Sequence, residues 1–172
     1  DNEITINNSN YPLILMSWAK GQPINDYISK NLYNNKGLTL LQKKIIELIN
    51  DLETNKIGHG DLQHGNIFIL DQGDDITLSL VDYDNLYVPD LSELKSKELG
   101  LPQYQHLKRT KNDYNHKIDR FSAWIYLTGL ESLKSNKGLW KNKSKGGYNN
   151  DENILFEGKD LLKPDQSTIF KF

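Results

Sequence analysis

The spacing of apolar residues predicts two successive helices in the first third of the chain. Five aliphatic residues recur at intervals of three and four positions and so share one helical face: Leu41, Ile45, Leu48, Ile49 and Leu52. Thr39 is placed to cap this helix, and we expect it to end at Asn55. A shorter helix is expected over residues 24–32, followed by a turn at residues 34–37.

Two apolar runs further along the chain predict an antiparallel hairpin. Residues 67–70 and 76–81 are rich in β-prone side chains, and the polar cluster at residues 71–75 between them is typical of a turn. A third apolar run, residues 11–18, contains Pro12 near its beginning. Because proline cannot donate to a strand ladder, this run is predicted to be an edge strand.

The second half of the chain predicts one buried helix beside irregular structure. Residues 84–118 show little periodicity and predict a long irregular segment. From Arg120 the residues are apolar nearly all round, which predicts a helix buried on most sides, with Trp124 and Tyr126 in the core or at its edge. Residues 134–147 are basic and rich in Gly and Asn and predict a solvated loop. The expected fold class is therefore α+β.

Composition narrows the class of protein further. A chain of 172 residues is expected to form one compact domain, and a net charge of -2 gives no reason to expect a nucleic acid partner. The chain has no cysteine, which excludes disulfides and thiolate metal sites and favours an intracellular setting. The longest aliphatic run, residues 13–16, is too short to cross a membrane. We expect a cytoplasmic protein. Because Met16 is the only methionine, we expect the start codon to lie upstream.

The most polar stretch between apolar runs is IGHGDLQHGNIFI, residues 57–69. In an antiparallel hairpin, the residue that enters the first strand and the residue that leaves the second lie at the same open end. Asn66 enters and Asp82 leaves, while Asp61 lies five residues before Asn66. Amide and carboxylate oxygens are ligands that Mg²⁺ accepts together with phosphate and water. The sequence therefore predicts a magnesium site at this end of the hairpin.

The same stretch resembles a known family. Residues 59–66, HGDLQHGN, are similar to the H-R-D-L-x-x-x-N catalytic loop of protein kinases, and VDYD at residues 81–84 is similar to D-F-G. The resemblance implies the large lobe of a protein kinase-like fold, mainly helical with a catalytic-loop hairpin, from an atypical bacterial-type Ser/Thr protein kinase. Residues 1–20 would be a remnant of the small-lobe strand and the hinge, and residues 21–172 the large lobe.

The resemblance also implies roles for individual residues. Asp61 would be the catalytic base and Gln63 would orient the transferring phosphoryl group, while Asn66 and Asp82 would bind ATP through Mg²⁺. His59 would brace the loop, and Asp119 would hydrogen-bond the loop backbone. The hinge-like residues Ser17, Trp18 and Ala19 would contact adenine. The implied reaction is transfer of the γ-phosphoryl group of ATP to a protein Ser or Thr hydroxyl.

Four departures from the family pattern modify these expectations. Gly60 replaces the arginine that pairs with a phosphorylated activation segment, so activation by that route is not expected. Gln63 replaces a lysine and supplies no positive charge. Asp84 replaces the glycine of D-F-G. No G-x-G-x-x-G loop is found in the sequence, so we expect this chain by itself to be inactive.

Three other functions remain open at this point. The chain could be a pseudokinase or scaffold, because Gln63 is neutral and most of a small lobe is missing. It could be a small-molecule phosphotransferase similar to aminoglycoside and choline kinases, although the long segment between Asp82 and Asp119 favours a protein substrate. His59, Asp61 and His64 could instead form the H-x-D-x-x-H metal cluster of a hydrolase. The sequence gives no indication of the oligomeric state.

Overall fold

The protein is an α+β structure of short antiparallel strands and helices. The computed structural model describes residues 3–13, 15–150 and 152–171. The strands are β1 (Glu3–Ile6), β2 (Ser9–Pro12), β3 (Gln22–Pro23), β4 (Ile67–Asp71) and β5 (Ile76–Leu80). The helices are α1 (Ile24–Asn31), α2 (Asn35–Thr54), α3 (Arg120–Ser135) and α4 (Gly158–Leu162). In the described part of the chain, no helix is both long and apolar enough to cross a bilayer.

The first two strands form an exposed hairpin. β1 and β2 pair antiparallel from Glu3↔Pro12 to Ile6↔Ser9, and every residue of both strands is exposed. The prediction of a strand over residues 11–18 was wrong in its extent, since β2 ends at Pro12 and residues 15–20 have no regular structure. Proline lacks the N–H group that would continue the ladder. Ile14 lies outside the described residues.

The two predicted helices near the start are present, but the cap of the second was misplaced. α1 ends one residue before the predicted end, and α2 ends next to Asn55 as predicted. α2 begins at Asn35 and not near Thr39, because the side chain of Asn34 accepts a hydrogen bond from the Gly37 amide at 3.2 Å. The residues predicted to form a turn are therefore the cap and first turn of α2.

The predicted hairpin at residues 67–81 is confirmed. β4 and β5 pair antiparallel in register from Ile67↔Leu80 to Asp71↔Ile76. β3 adds to the outer edge of β4 and gives the sheet order β3-β4-β5. Gly21 precedes β3 with φ +105°, and a Cβ atom there would lie 2.2 Å from the Ile69 carbonyl oxygen. Only glycine allows this close approach. β3 has only two residues and was not predicted from the sequence.

The core lies between α1, α2, α3 and the sheet. α2 packs against α3, and both contribute fully buried side chains, as do α1 and β4: Ile24, Ile28, Leu41, Ile45, Ile67, Ile69, Tyr126 and Leu130. Residues 84–118 are irregular apart from the short 3₁₀ turns Pro89–Leu91 and Pro102–Tyr104, as predicted. The irregular segment packs on this core through Tyr104, which is fully buried.

Two predictions about the second half of the chain need correction. Tyr126 is buried, but Trp124 on α3 is 67 % exposed, so α3 is covered on fewer sides than its composition indicated. Residues 134–147 are not simply a solvated loop, because Leu139 and Trp140 are buried. The Trp140 indole donates a hydrogen bond to Ser29 Oγ of α1 at 2.9 Å. This contact fixes the segment after α3 against α1.

Candidate active site

A buried carboxylate organises the loop between α2 and β4. Asp119, immediately before α3, is 4 % exposed and accepts hydrogen bonds from the backbone N–H groups of His59 at 2.6 Å and Gly60 at 2.9 Å. Burial raises the pKa of Asp119, while these two N–H donors and the nearby His59 and Arg109 act in the opposite direction. The two bonds fix the loop backbone one residue before Asp61.

His59 connects the same loop to the end of the hairpin. Its Nε2 atom lies 2.9 Å from the Val81 carbonyl oxygen. Because a carbonyl only accepts, Nε2 must carry the hydrogen. The imidazole is fully buried, and its ring centroid lies 5.8 Å from that of Tyr83. His59 is thus a bracing residue, as the resemblance implied.

Asp61, Gln63 and Asn66 form one hydrogen-bonded cluster. The Asn66 side-chain amide donates to the Asp61 backbone oxygen at 2.9 Å and to Asp61 Oδ2 at 3.2 Å. Gln63 Nε2 also donates to Asp61 Oδ2, at 3.2 Å. Asp61 Oδ1 is buried and has no hydrogen-bond partner among the described residues. The carboxylate is therefore oriented through Oδ2, while Oδ1 is enclosed without a hydrogen bond.

Asp82 follows directly at the open end of the hairpin. The Val81 amide donates to the Asn66 carbonyl at 3.1 Å, so the backbones that carry Asn66 and Asp82 are brought together. Asp82 is exposed and has φ +65°. Few residues other than glycine adopt this conformation, although Asp and Asn tolerate it better than most. The predicted proximity of the two backbone positions is observed.

The donor set at this end of the hairpin suits a hard cation better than zinc. Nowhere in residues 3–13, 15–150 and 152–171 do three His, Asp or Glu side chains form a group that could hold a metal ion. The structure therefore does not favour the alternative cluster of His59, Asp61 and His64, whose first member is bonded to a carbonyl. An amide oxygen from Asn66 and a carboxylate from Asp82 would supply two oxygen ligands for Mg²⁺, which usually also binds phosphate and water.

The residues predicted to contact adenine lie in an irregular stretch of the chain before β3. Ser17, Trp18 and Ala19 belong to the irregular stretch before β3, and Trp18 is 90 % exposed. Trp18 contributes little packing to the described protein. The stretch leads into β3, which pairs with β4 of the hairpin. The chain that follows these residues therefore pairs with the strand that begins after Asn66.

Several residues around the catalytic-loop candidate were missed by sequence reasoning. The Gly60 carbonyl accepts hydrogen bonds from Asn85 Nδ2 at 3.1 Å and from Arg109 Nη1 at 2.8 Å. Gly60 has φ +81°, and a Cβ atom there would lie 2.5 Å from the Asn85 carbonyl oxygen. Asn85 and Arg109 both lie in the irregular segment. Because this segment has no periodic pattern, the sequence did not indicate which of its side chains point toward the loop.

Gly100 closes the site from the same segment. It has φ +73°, and a Cβ atom on it would lie 2.4 Å from Asp61 Oδ1 and 2.8 Å from Gln105 Nε2. Gln105 is 6 % exposed, and its Nε2 is another buried atom without a hydrogen-bond partner in the described parts of the chain. A glycine at this position lets the segment lie directly against the Asp61 carboxylate.

Comparison with known proteins assigns the chain to no family. No protein-family model matches the sequence, and no curated protein matches it significantly. Functional inference therefore depends on the residues and their geometry.

Proposed function

We propose that the chain is the large lobe of a protein kinase-like phosphotransferase that transfers the γ-phosphoryl group of ATP to a Ser or Thr hydroxyl of a protein. The observation that carries this proposal is the pair of bonds from the backbone of His59 and Gly60 to the buried Asp119 carboxylate. Burial of a carboxylate is costly, and the two backbone N–H donors offset part of this cost and order the loop that carries Asp61.

Asp61 is proposed to position the acceptor hydroxyl and accept its proton. Its Oδ2 atom accepts hydrogen bonds from Gln63 and Asn66, and its Oδ1 atom lies against Gly100, so neighbouring residues hold the carboxylate in one orientation. A base that is oriented before the substrate arrives needs no reorganisation during the reaction. Gln63 orients this carboxylate but adds no charge to stabilise the transferred group.

Asn66 and Asp82 are proposed to hold Mg²⁺ with ATP. The bound ion would neutralise charge on the phosphate oxygens during transfer. The positive φ of Asp82 supports a functional role, because such backbone strain costs about 1–3 kcal/mol and is concentrated at active sites. Ser17, Trp18 and Ala19 would contact adenine, with residues 1–20 forming the hinge side of the nucleotide site. The proposed enzyme is cytoplasmic.

The proposal is tested by measuring Mg²⁺-dependent transfer of labelled phosphate from ATP to protein by the full-length protein. Asp61→Asn and Asp82→Asn should each reduce transfer by at least about a hundredfold while thermal unfolding is unchanged. Asp74→Asn is the matched control, because Asp74 lies in the exposed turn at the opposite end of the hairpin. Transfer that persists in Asp82→Asn would remove Asp82 from the site.

A second candidate is a pseudokinase or scaffold that binds nucleotide without transferring phosphate. It is favoured by Gln63, whose neutral amide contacts Asp61 Oδ2 where a lysine would supply charge. Gln63→Lys separates the two functions. An enzyme should keep or increase its transfer rate, whereas tight ATP binding without transfer in both forms would identify the scaffold.

A further inference from the structure

Arg109 joins the irregular segment to the catalytic-loop candidate. Its Nη1 atom donates to the carbonyl oxygens of Gly60 at 2.8 Å and Leu99 at 3.1 Å, and it also contacts Gln105 Oε1. Its Nη2 atom donates to Ser96 Oγ at 3.2 Å. Residues 96–105 are called the strap. The Arg109 guanidinium group therefore contacts the loop and three residues of the strap.

Asn85 makes a parallel set of contacts. Its Nδ2 atom donates to the same Gly60 carbonyl at 3.1 Å and to the Glu98 carbonyl at 3.2 Å. The two carbonyls fixed by Asn85 and Arg109, those of Glu98 and Leu99, immediately precede Gly100. Gly100 is the residue that lies against Asp61 Oδ1. The position of the strap beside Asp61 thus depends on these two side chains.

The strap is held by buried side chains. Asn85 and Gln105 are 6 % exposed, and Ser96 is 2 % exposed. Burial lowers the pKa of Arg109, and the negative charges of Asp119 and Asp61 favour its cationic form. A half-buried guanidinium group that donates to two backbone carbonyls gives strong and directional hydrogen bonds.

We propose that Arg109 is a positioning residue that fixes the strap on the catalytic loop without a phosphate group, an inference that rests on the phosphotransferase function proposed above. Gly60 has no side chain with which to hold this segment. The cation comes instead from Arg109, which follows the strap in the chain. The loop contributes the acceptor, the Gly60 carbonyl oxygen. The strap is then in place in the unmodified protein.

The first test is amide hydrogen exchange of the full chain carrying Arg109→Lys. Lysine keeps the charge but lacks the planar fork that contacts Gly60, Leu99 and Ser96 together. The amides of Ser96 and Tyr104, which donate to Lys111 and Leu101 carbonyls, should exchange about tenfold faster. The buried amide of Ile45 in α2 should be unaffected.

Arg120→Lys is the matched control. Arg120 forms an ion pair with Glu53, between α3 and α2. Among the described residues, its side chain makes no hydrogen bond to the strap. Exchange at Ser96 and Tyr104 should not change in this variant. Unchanged exchange at both amides in Arg109→Lys would overturn the proposal. If that variant does not fold, Ser96→Ala, which removes one of the bonds from Arg109, should speed exchange at Ser96 and Tyr104, and unchanged exchange there would also overturn the proposal.

A kinetic measurement on the full-length protein links the strap to catalysis. Arg109→Lys should reduce kcat about tenfold and leave the KM for ATP within about twofold, because the strap adjoins Asp61 and not the nucleotide. A general loss of fold would instead speed exchange at Ile45 as well as at Ser96 and Tyr104. If exchange is faster in Arg109→Lys but the wild-type protein transfers no phosphate, the contact is upheld and the proposed function is rejected. Unchanged kcat in an active enzyme would reject the positioning role alone.

Discussion

The carboxylate of Asp119 lies 2.6 Å from the backbone nitrogen of His59, a residue 60 positions earlier in the chain. The second Asp119 oxygen binds the next amide, that of Gly60, so both oxygens are used within one turn of the loop. This relationship ties the start of α3 to the loop after α2. Stability and the candidate site therefore depend on the same buried group.

Asp119→Ala should destabilise the protein by about 3 kcal/mol, because two buried N–H groups lose their acceptors. Asp119→Asn should cost less, since its amide oxygen can still accept one of the two bonds. Urea unfolding of the three proteins measures the difference. An alanine variant as stable as the asparagine variant would show that the two backbone amides find other partners.

The packing of α2 on α3 is tested by two neighbouring isoleucines. Ile45 is fully buried, whereas Ile46 is 48 % exposed. Ile45→Ala should lower the free energy of unfolding by about 3 kcal/mol, because it removes buried methyl groups and leaves a cavity. Ile46→Ala should cost less than about 1 kcal/mol. Equal losses in chemical denaturation would contradict the orientation of α2.

Alanine substitutions at Gly60 and Gly73 distinguish the cost of backbone strain from the cost of a steric clash. Both have positive φ, but a Cβ atom on Gly60 would lie 2.5 Å from the Asn85 oxygen, while nothing lies within 4 Å of one on Gly73. Gly73→Ala should cost about 1 kcal/mol from strain alone. Gly60→Ala should cost about 3 kcal/mol because it adds overpacking. Thermal unfolding should rank the two variants in this order, and the reverse order would exclude the close approach to Asn85.

The Glu53–Arg120 pair makes a pH-dependent contribution to stability. Arg120 donates to both Glu53 oxygens at 2.6 Å and holds the pKa of Glu53 below its usual value of 4.5. The folded pKa is lower than the unfolded one. The contribution is therefore present above the unfolded pKa and is lost as the pH falls through the folded pKa.

Glu53→Gln should consequently reduce stability at about pH 7, and this loss should become smaller as the pH falls through the folded pKa of Glu53. Urea unfolding at neutral pH and at a series of acidic pH values measures this, and Arg120→Gln should show the same trend. A difference between wild type and Glu53→Gln that does not change with pH would mean that the ion pair does not contribute.

Local patterns in the sequence determined the elements that depend on neighbouring residues. The apolar stripe of α2, the turn between β4 and β5 and the apolar run of α3 predicted these elements because burial of one face and tight turns leave a periodic record. The same patterns placed Asn66 and Asp82 at one end of the hairpin. Errors arose where a single cap or a strand partner decided the boundary, as at Asn34 and Pro12.

The tertiary structure alone decided which distant polar groups meet. Arg109, Asn85 and Gly100 lie in an aperiodic segment, and only the folded chain brings them to Gly60 and Asp61. Such contacts leave no repeat in the sequence, because they depend on hydrogen-bond direction and on space for a glycine. The sequence by itself determined the helices, the hairpin and the polar loop, while long-range packing determined how that loop is held.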